Sequence, residues 1–198
     1  MANTDGPQSG SLSPALVAVR DHVLAHSVRR GTFTLKSGAT STWFLDTKQT
    51  ACRPDGIMAV ADALLEILAA EVPDGADAIG GLTMGADPMA FGVAAIAATR
   101  SVDLRSFSVR KEAKDHGVTG RIAGALMPGD RVIVTEDTTT RGTSMLEAIE
   151  AVRAEGGEVV LATAIVDRGG TCAGICADAG VRYRPLLTAP DLGFDYGT

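Results

Sequence analysis

The segment RVIVTEDTTTRGTSMLE, residues 131–147, decides the fold class. The apolar residues of RVIVT predict a buried β-strand, and two acids, Glu136 and Asp137, stand at its carboxyl end. Small hydroxyl residues follow, and the spacing of Ser144 and Glu147 is typical of a capping box, which predicts that a helix begins there. Because ligands of open α/β sheets bind beyond the carboxyl ends of the strands, the segment predicts an α/β fold with a ligand site at one sheet edge.

The same segment favours a phosphorylated sugar as the ligand. A loop that enters a helix N-terminus presents free backbone N–H groups and the positive end of the helix dipole, and Gly142 lets a phosphate approach the backbone closely. Glu136 and Asp137 would repel that phosphate, so we expect them to meet sugar hydroxyls, a cationic centre or Mg²⁺. The alternative is that the hydroxyls only cap a helix and the acids are solvated, but an acid pair directly behind a buried strand argues against it. The motifs GxxxxGK(S/T) and GxGxxG are absent, so a P-loop nucleotidase or a dinucleotide dehydrogenase gains no support.

The rest of the chain alternates apolar β segments with helical patterns, which predicts a central, mostly parallel sheet flanked by helices. Strands are predicted at 77–81, 104–109, 122–126, 131–135, 158–166 and 181–187, and helices at about 13–28, from 54 onward, and at about 87–99, 143–155 and 170–179. Two further β segments, 32–35 and 41–46, predict a hairpin. We therefore expect a loose N-terminal tail at 1–12 and a single domain at 13–198, with a small N-terminal hood formed by 13–53.

Composition excludes several classes of protein. The chain has 198 residues, of which 45% are hydrophobic and 4% aromatic, as expected for a globular protein with closely packed helices. Its net charge of −6 argues against a nucleic-acid or anionic membrane partner. There are three cysteines and neither a signal peptide nor an apolar run long enough to span a membrane, which predicts reduced thiols and a cytoplasmic location.

Four stretches together resemble one known family. VIVTEDTTTRGTS (132–144) resembles the signature with which type I phosphoribosyltransferases bind 5-phosphoribosyl 1-diphosphate, abbreviated PRPP. FTLKSGATSTWFLDTK (33–48) resembles the N-terminal motif of the orotate phosphoribosyltransferases, VRKEAKDHG (109–117) resembles their mobile catalytic loop, and VDR (166–168) follows in matching order. The resemblance implies the type I phosphoribosyltransferase fold and the conversion of orotate and PRPP to orotidine 5′-monophosphate and diphosphate.

The resemblance also implies which residues bind PRPP: Arg110, Lys111, Lys114, His116, Glu136, Asp137, Thr138, Thr139, Thr140, Arg141, Gly142, Thr143 and Ser144. Of these, Lys114, His116 and Asp137 are the implied catalytic residues. Magnesium is the implied cofactor and is held mainly by PRPP, with no direct protein ligand. The catalytic loop of the family closes over the site of a partner subunit, which implies a homodimer with shared active sites.

For orotate, the resemblance implies contacts with Lys36, Phe44, Thr140 and Arg168. Some positions stay open: Trp43 is a candidate for the aromatic wall or for core packing, and Arg141 either adds charge to the phosphate site or points to solvent. Met84 departs from the family, because some bacterial members carry a PRPP-contacting lysine there. Two alternatives also remain at this stage: a non-catalytic nucleotide-binding regulator of the same fold, and a phosphoribosyltransferase for another base.

Overall fold

The structure is a computed structural model that describes residues 12–34, 40–114 and 120–197. Within these ranges there are eight strands: β1 Val28–Thr34, β2 Thr40–Leu45, β3 Ala78–Leu82, β4 Arg105–Lys114, β5 Gly120–Gly124, β6 Arg131–Thr139, β7 Glu158–Asp167 and β8 Leu187–Thr188. Six α-helices accompany them: α1 Pro14–His26, α2 Lys48–Ala51, α3 Pro54–Glu71, α4 Asp87–Ala98, α5 Thr143–Ala154 and α6 Cys172–Asp178. A 3₁₀ turn spans Pro190–Leu192.

The main sheet has six strands in the order β5-β4-β3-β6-β7-β8, and every pairing except β4 with β5 is parallel. This confirms the predicted central, mostly parallel sheet. The carboxyl ends of β3, β6 and β7 therefore meet at one edge, where the polar ends of these strands gather.

Both faces of the sheet are covered, which explains the continuous apolar runs in its strands. On β6, Ile133 packs into a cluster with α1, α3 and α4, whereas its neighbours Val132 and Val134 pack into a second cluster with α5. Successive strand residues point to opposite faces, so a strand between two helical layers needs apolar residues at every position. Among the helices in the described part of the chain, none is both long and apolar enough to cross a membrane.

The hood lies over one end of the domain. Helix α1 begins as predicted, since Ser13 Oγ accepts a hydrogen bond from Leu16 N at 3.4 Å and Pro14 takes the first helical position. The predicted helix through about residue 28 is too long, because Val28 instead pairs with Leu45 in the antiparallel β1–β2 hairpin. The hairpin itself is confirmed, although its first strand starts earlier than predicted.

Two other predicted segments differ from the structure. The strand predicted at 181–187 is reduced to an isolated bridge at Tyr183 and the two-residue strand β8. Between them Arg184 N and Leu186 N still donate to Ala162 O and Ala164 O of β7, but Arg184 O accepts from the side chain of Thr163 at 2.7 Å and not from the β7 backbone. The polar segment after 109 is partly strand: β4 continues to Lys114 and β5 returns from Gly120.

Candidate active site

The two acids of the signature segment lie inside strand β6, which continues to Thr139, and not beyond its end as the sequence predicts. The strand is longer because Thr138 and Thr139 pair with Val166 and Asp167 of β7. Both carboxylates face the loop after β3: a Cβ added to Gly85 would lie 2.9 Å from Glu136 Oε2 and 2.9 Å from Asp137 Oδ1. A glycine at this position therefore lets the loop backbone approach the acid pair.

Lys48, at the start of α2, forms an ion pair with Asp137. Asp137 Oδ1 also accepts a hydrogen bond from Thr138 N at 2.9 Å, and Thr138 Oγ1 lies 2.7 Å from Thr47 Oγ1. Burial lowers the pKa of Lys48, but its hydrogen bond to Asp137 and the surrounding negative charge outweigh burial and raise it. Sequence reasoning assigned no role to Lys48; its rarity as one of four lysines in an acidic chain was the available signal.

Glu136 is held in a different state from Asp137. Burial, followed by the negative charge of Asp137, raises the pKa of Glu136 to about 8 from its ordinary value of 4.5. At neutral pH the Glu136 carboxyl is therefore mostly protonated and can donate a hydrogen bond. The pair offers a neutral acid beside a carboxylate that is held in place by an ion pair with Lys48.

This raised pKa makes stability depend on pH. A group whose pKa is raised on folding stabilises the protein fully below its unfolded pKa of 4.5, and this stabilisation is lost as the pH rises through about 8. Glu136→Gln cannot ionise, so we expect it to increase the free energy of unfolding by about 5 kcal/mol at about pH 9 but only by about 1 kcal/mol at about pH 5. Urea unfolding at both pH values tests this.

The matched control is Glu150→Gln on the exposed side of α5, which is expected to change the free energy of unfolding equally at both pH values. A stability gain of Glu136→Gln that is the same at acid and alkaline pH would contradict a raised pKa for Glu136.

Beside the acids, a cavity of about 280 Å³ is lined by Glu136 and by Thr138 to Met145. Every residue of the predicted phosphate loop, 140–144, therefore lines this cavity. Helix α5 begins at Thr143, and Gly142 caps it with φ +78° and no side-chain hydrogen bond. The first-turn N–H groups are therefore available to an anion, and the left-handed conformation of Gly142 explains the glycine.

The predicted capping box at Ser144 and Glu147 is wrong. The helix begins one residue earlier than Ser144, and the Glu147 carboxylate forms an ion pair with Arg121 instead of turning back to the helix start. This leaves the N-terminus of α5 open towards the cavity.

The loop after β7 packs against the phosphate loop and is hydrogen-bonded to it. Asp167 Oδ1 accepts hydrogen bonds from Gly169 N at 3.0 Å and Gly170 N at 2.9 Å, and Thr171 Oγ1 donates to Thr140 O at 2.9 Å. A Cβ on Gly169 would lie only 1.7 Å from Thr140 O, so no other residue fits without movement of the backbone. Sequence reasoning missed Asp167 and Gly169, although the VDRGG stretch that contains them had been singled out for Arg168.

Arg168 joins the sheet edge to the hood. Its Nη2 donates to Ser41 Oγ at 3.0 Å and to Trp43 O at 3.3 Å, and its guanidinium lies 4.6 Å from the centroid of the Trp43 ring. Burial lowers the pKa of Arg168 from its ordinary value. The side chain is thus held by the hood strand β2 at the edge of the site.

The two aromatic residues of β2 have separate places. Trp43 is fully buried and stacks on Phe194 with ring centroids 4.1 Å apart, as its core-packing interpretation predicts. Phe44 is 41% exposed on the opposite face of β2 from Trp43, and its ring neighbours Phe33. Thr140 is exposed at the mouth of the site, and Lys36 lies outside the described residues.

The cationic residues predicted for the mobile loop lie on the arms of the β4–β5 hairpin. Arg121 Nε donates to Arg110 O at 2.8 Å while its Nη2 pairs with Glu147 of α5, so the hairpin is tied to the helix that carries the phosphate loop. Lys111 and Arg141 are both exposed. Lys114 ends strand β4, but its side chain and His116 lie outside the described residues.

Comparison with known proteins agrees with this geometry. The family model of the phosphoribosyl transferase domain matches residues 48–173. An orotate phosphoribosyltransferase of Streptomyces avermitilis is 41% identical over 181 residues, which cover 91% of this chain and 96% of the relative. One of Aquifex aeolicus is 43% identical over 136 residues, which cover 69% of this chain and 73% of the relative.

Solved structures extend the comparison to the fold. Mycobacterium tuberculosis orotate phosphoribosyltransferase in complex with PRPP is 32% identical to this chain, with a TM-score of 0.76, and the match covers 91% of this chain and 100% of that one. Adenine phosphoribosyltransferase of Leishmania donovani, at 15% identity and a TM-score of 0.64, shares the fold alone.

Proposed function

Because this chain belongs to the orotate phosphoribosyltransferases of the phosphoribosyltransferase family, we propose that it transfers the 5-phosphoribosyl group of PRPP to N1 of orotate. The products are orotidine 5′-monophosphate and diphosphate. One observation carries this assignment: the open N-terminus of α5 and Glu136 line the same cavity, and Asp137 follows Glu136 directly on β6. A sugar that carries a 5′-phosphate needs both a binding site for the phosphate and partners for its hydroxyls within one site.

PRPP binds along the end of β6 in this proposal. The 5′-phosphate sits on the segment 140–144, and the ribose hydroxyls meet Glu136 and Asp137. The bond between C1 and the diphosphate oxygen breaks with oxocarbenium character, and its electron pair leaves with the diphosphate; N1 of orotate then forms the new bond to C1 and releases its proton to solvent. The fixed negative charge of Asp137 stabilises the positive charge that develops on the sugar, while the protonated Glu136 donates or accepts a hydrogen bond without adding repulsion.

Neutralisation of the leaving diphosphate is assigned to the β4–β5 hairpin. Arg110, Lys111, Lys114 and Arg121 supply positive charge to an otherwise acidic chain, and His116 is assigned a hydrogen bond or a proton for the diphosphate. We propose that the hairpin closes over the site of a partner subunit, so that two chains form a homodimer with shared active sites. Lys114 then acts on the departing diphosphate, and Arg110 is suited to a multidentate phosphate contact.

The residues at this edge fit a magnesium ion that arrives with PRPP. Asp137 is occupied by Lys48, and burial favours a protonated Glu136, so they do not form a cage of carboxylates. Magnesium commonly keeps several waters and binds substrate phosphates with one or two carboxylates nearby. When bound, the ion supplies positive charge to the diphosphate.

Orotate is assigned to the space between the hood and the sheet edge. Arg168, held by Ser41 and the face of Trp43, offers a planar fork that matches a carboxylate. Lys36 and Thr140 complete the proposed contacts. Phe44 is exposed on the outer face of β2. We therefore assign it either a contact with orotate at the rim of the site or a contact with another subunit.

Arg168→Ala is expected to raise KM for orotate about tenfold to a hundredfold while changing KM for PRPP less than threefold, because it removes a charge-assisted hydrogen bond to one substrate only. Steady-state kinetics with each substrate varied in turn measure both constants. Arg168→Lys keeps the charge without the fork and should lie between the two proteins. Equal losses for orotate and PRPP would place Arg168 elsewhere.

The direct test of the function is the fall in orotate absorbance when PRPP and Mg²⁺ are added. Turnover of orotate, with no turnover in a panel of uracil, hypoxanthine and adenine, is the expected result. Tight nucleotide binding without turnover would favour a regulator, and turnover of another base would favour a different specificity.

We also infer a cytoplasmic location. It is supported by three free cysteines, among them Cys172 and Cys176, whose Sγ atoms lie 3.9 Å apart without a disulfide bond between them.

A further inference from the structure

A second polar cluster lies in the hood, on the α1–α3 contact. One atom from each of His22, His26 and Asp55 lies within 4.8 Å of the other two. Among the residues that the structure describes, this is the one group of three or more histidine, cysteine or carboxylate side chains arranged in this way. None of the three takes part in the proposed transfer reaction.

The two histidines come from one face of α1. They are four residues apart on the helix, which places side chains one above the other, and their ring centroids are 4.4 Å apart. His26 is exposed at the last residue of α1, whereas the side chain of His22 is only 10% exposed. The cluster therefore has one deep ligand and one at the surface.

His22 is oriented for metal binding. Its Nδ1 lies 3.1 Å from Thr50 Oγ1, which in turn lies 2.7 Å from Ser27 Oγ. When Nδ1 donates to Thr50, Nε2 keeps its lone pair, and this buried Nε2 forms no well-aligned hydrogen bond in the described part of the chain, although Asp55 Oδ1 lies 3.3 Å from it. Metal-bound histidines commonly have their other ring nitrogen fixed by an outer hydrogen bond of this kind.

Asp55 completes the cluster from the first turn of α3. Its Oδ1 lies 3.3 Å from His22 Nε2, close to the separation of about 3.4 Å between two ligands of a tetrahedral zinc ion. Gly56 makes this approach possible, because a Cβ there would lie 2.7 Å from His22 Cε1 and 2.2 Å from Thr50 O. The Asp55 side chain is 74% exposed, so an ion can enter from solvent.

We propose that His22, His26 and Asp55 bind a divalent transition-metal ion, with Zn²⁺ as the preferred ion and a solvent molecule as the fourth ligand. Two imidazoles and one carboxylate suit Zn²⁺, whereas Mg²⁺ prefers ligand sets of oxygen alone. The ion joins the last turn of α1 to the first turn of α3, and so fixes the hood on the main domain. The simpler alternative is an ion pair of His22 with Asp55, which does not involve His26.

The test is titration of the untagged, metal-free full chain with Zn²⁺ by calorimetry in excess Mg²⁺, and with Co²⁺ by visible absorption. We expect one ion per chain, a cobalt spectrum with d–d bands and no thiolate charge-transfer band, and a higher Tm with Zn²⁺. His26→Ala and Asp55→Asn, both at exposed positions, should weaken binding at least tenfold and abolish the rise in Tm.

Two control variants each remove a side chain outside the cluster that could bind the added metal ion. Cys52 is exposed three residues before Asp55, and His116 is the remaining histidine of the chain. Cys52→Ser and His116→Ala should bind both ions as tightly as the original chain does. Absence of stoichiometric binding, unchanged affinity in His26→Ala, or loss of binding in either control would overturn the proposal.

Discussion

Replacing Asp137 by Asn is expected to lower kcat/KM for PRPP by about 10²- to 10³-fold, with most of the loss in kcat. The amide keeps the shape of the side chain but removes the negative charge beside the sugar carbon, and removal of one preorganised electrostatic contact in a reaction site costs this much. Initial rates at varied PRPP concentration, together with the Tm of the variant, separate a catalytic loss from unfolding.

Lys48→Ala is the matched variant for this experiment. It removes the other half of the same ion pair and leaves the Asp137 carboxylate in place. The fall in kcat is expected to be at least tenfold smaller than that of Asp137→Asn, because Lys48 positions the acid and does not itself meet the sugar. Equal losses in the two variants would mean that the ion pair, and not the negative charge at the sugar, is what the reaction needs.

Lys114→Ala is expected to lower kcat by about 10²-fold or more, while orotate binding changes little, because in the proposed reaction the lysine meets the diphosphate as charge develops on it. Rapid-quench measurement of a single turnover and equilibrium binding of orotate report the two quantities. Arg100→Ala is the control. It removes one positive charge just after the C-terminal end of α4, where Arg100 forms an ion pair with Asp62 of α3. An unchanged kcat in Lys114→Ala would contradict the assignment.

The same variant tests whether two subunits share a site. Mixed dimers of Lys114→Ala and Asp137→Asn chains contain one site with both an intact hairpin and an intact acid pair. Refolding the two chains together in equal amounts should therefore restore about a quarter of the original activity, because half of the dimers are mixed and one of their two sites is intact. A hairpin that served its own subunit would give no recovery.

Local patterns predicted the parts of the molecule that depend on neighbouring residues. The strand that begins at residue 131, the loop after it and the helix that follows were predicted from one continuous stretch, and the structure brings Glu136 and residues 138–145 of that stretch to one cavity. Ser13 and Pro14 likewise predicted the start of α1 from adjacent positions. These features need no knowledge of distant partners.

What the sequence did not predict depends on distant partners. Lys48 and Asp137 are 89 residues apart in the chain, so nothing local to either residue indicates their ion pair. Glu147 has the spacing of a capping residue, but Arg121, 26 residues away, takes its carboxylate. The raised pKa of Glu136 is also a tertiary effect, because it arises first from burial and then from the neighbouring charge.

The hydrogen bonds from Arg168 to Ser41 and Trp43 have a consequence for how new activities arise on this scaffold. The parts assigned to the ribose phosphate belong to β6 and α5, while much of what is assigned to the base depends on an N-terminal extension whose strand β2 Arg168 joins to the sheet edge. An exchange of the β1–β2 hairpin within that extension, with Arg168 retained, would alter base choice and leave Lys48, the acid pair and the phosphate loop in place. The choice of base and the transfer of the ribose phosphate can then change independently, so that one scaffold can give rise to enzymes for different bases.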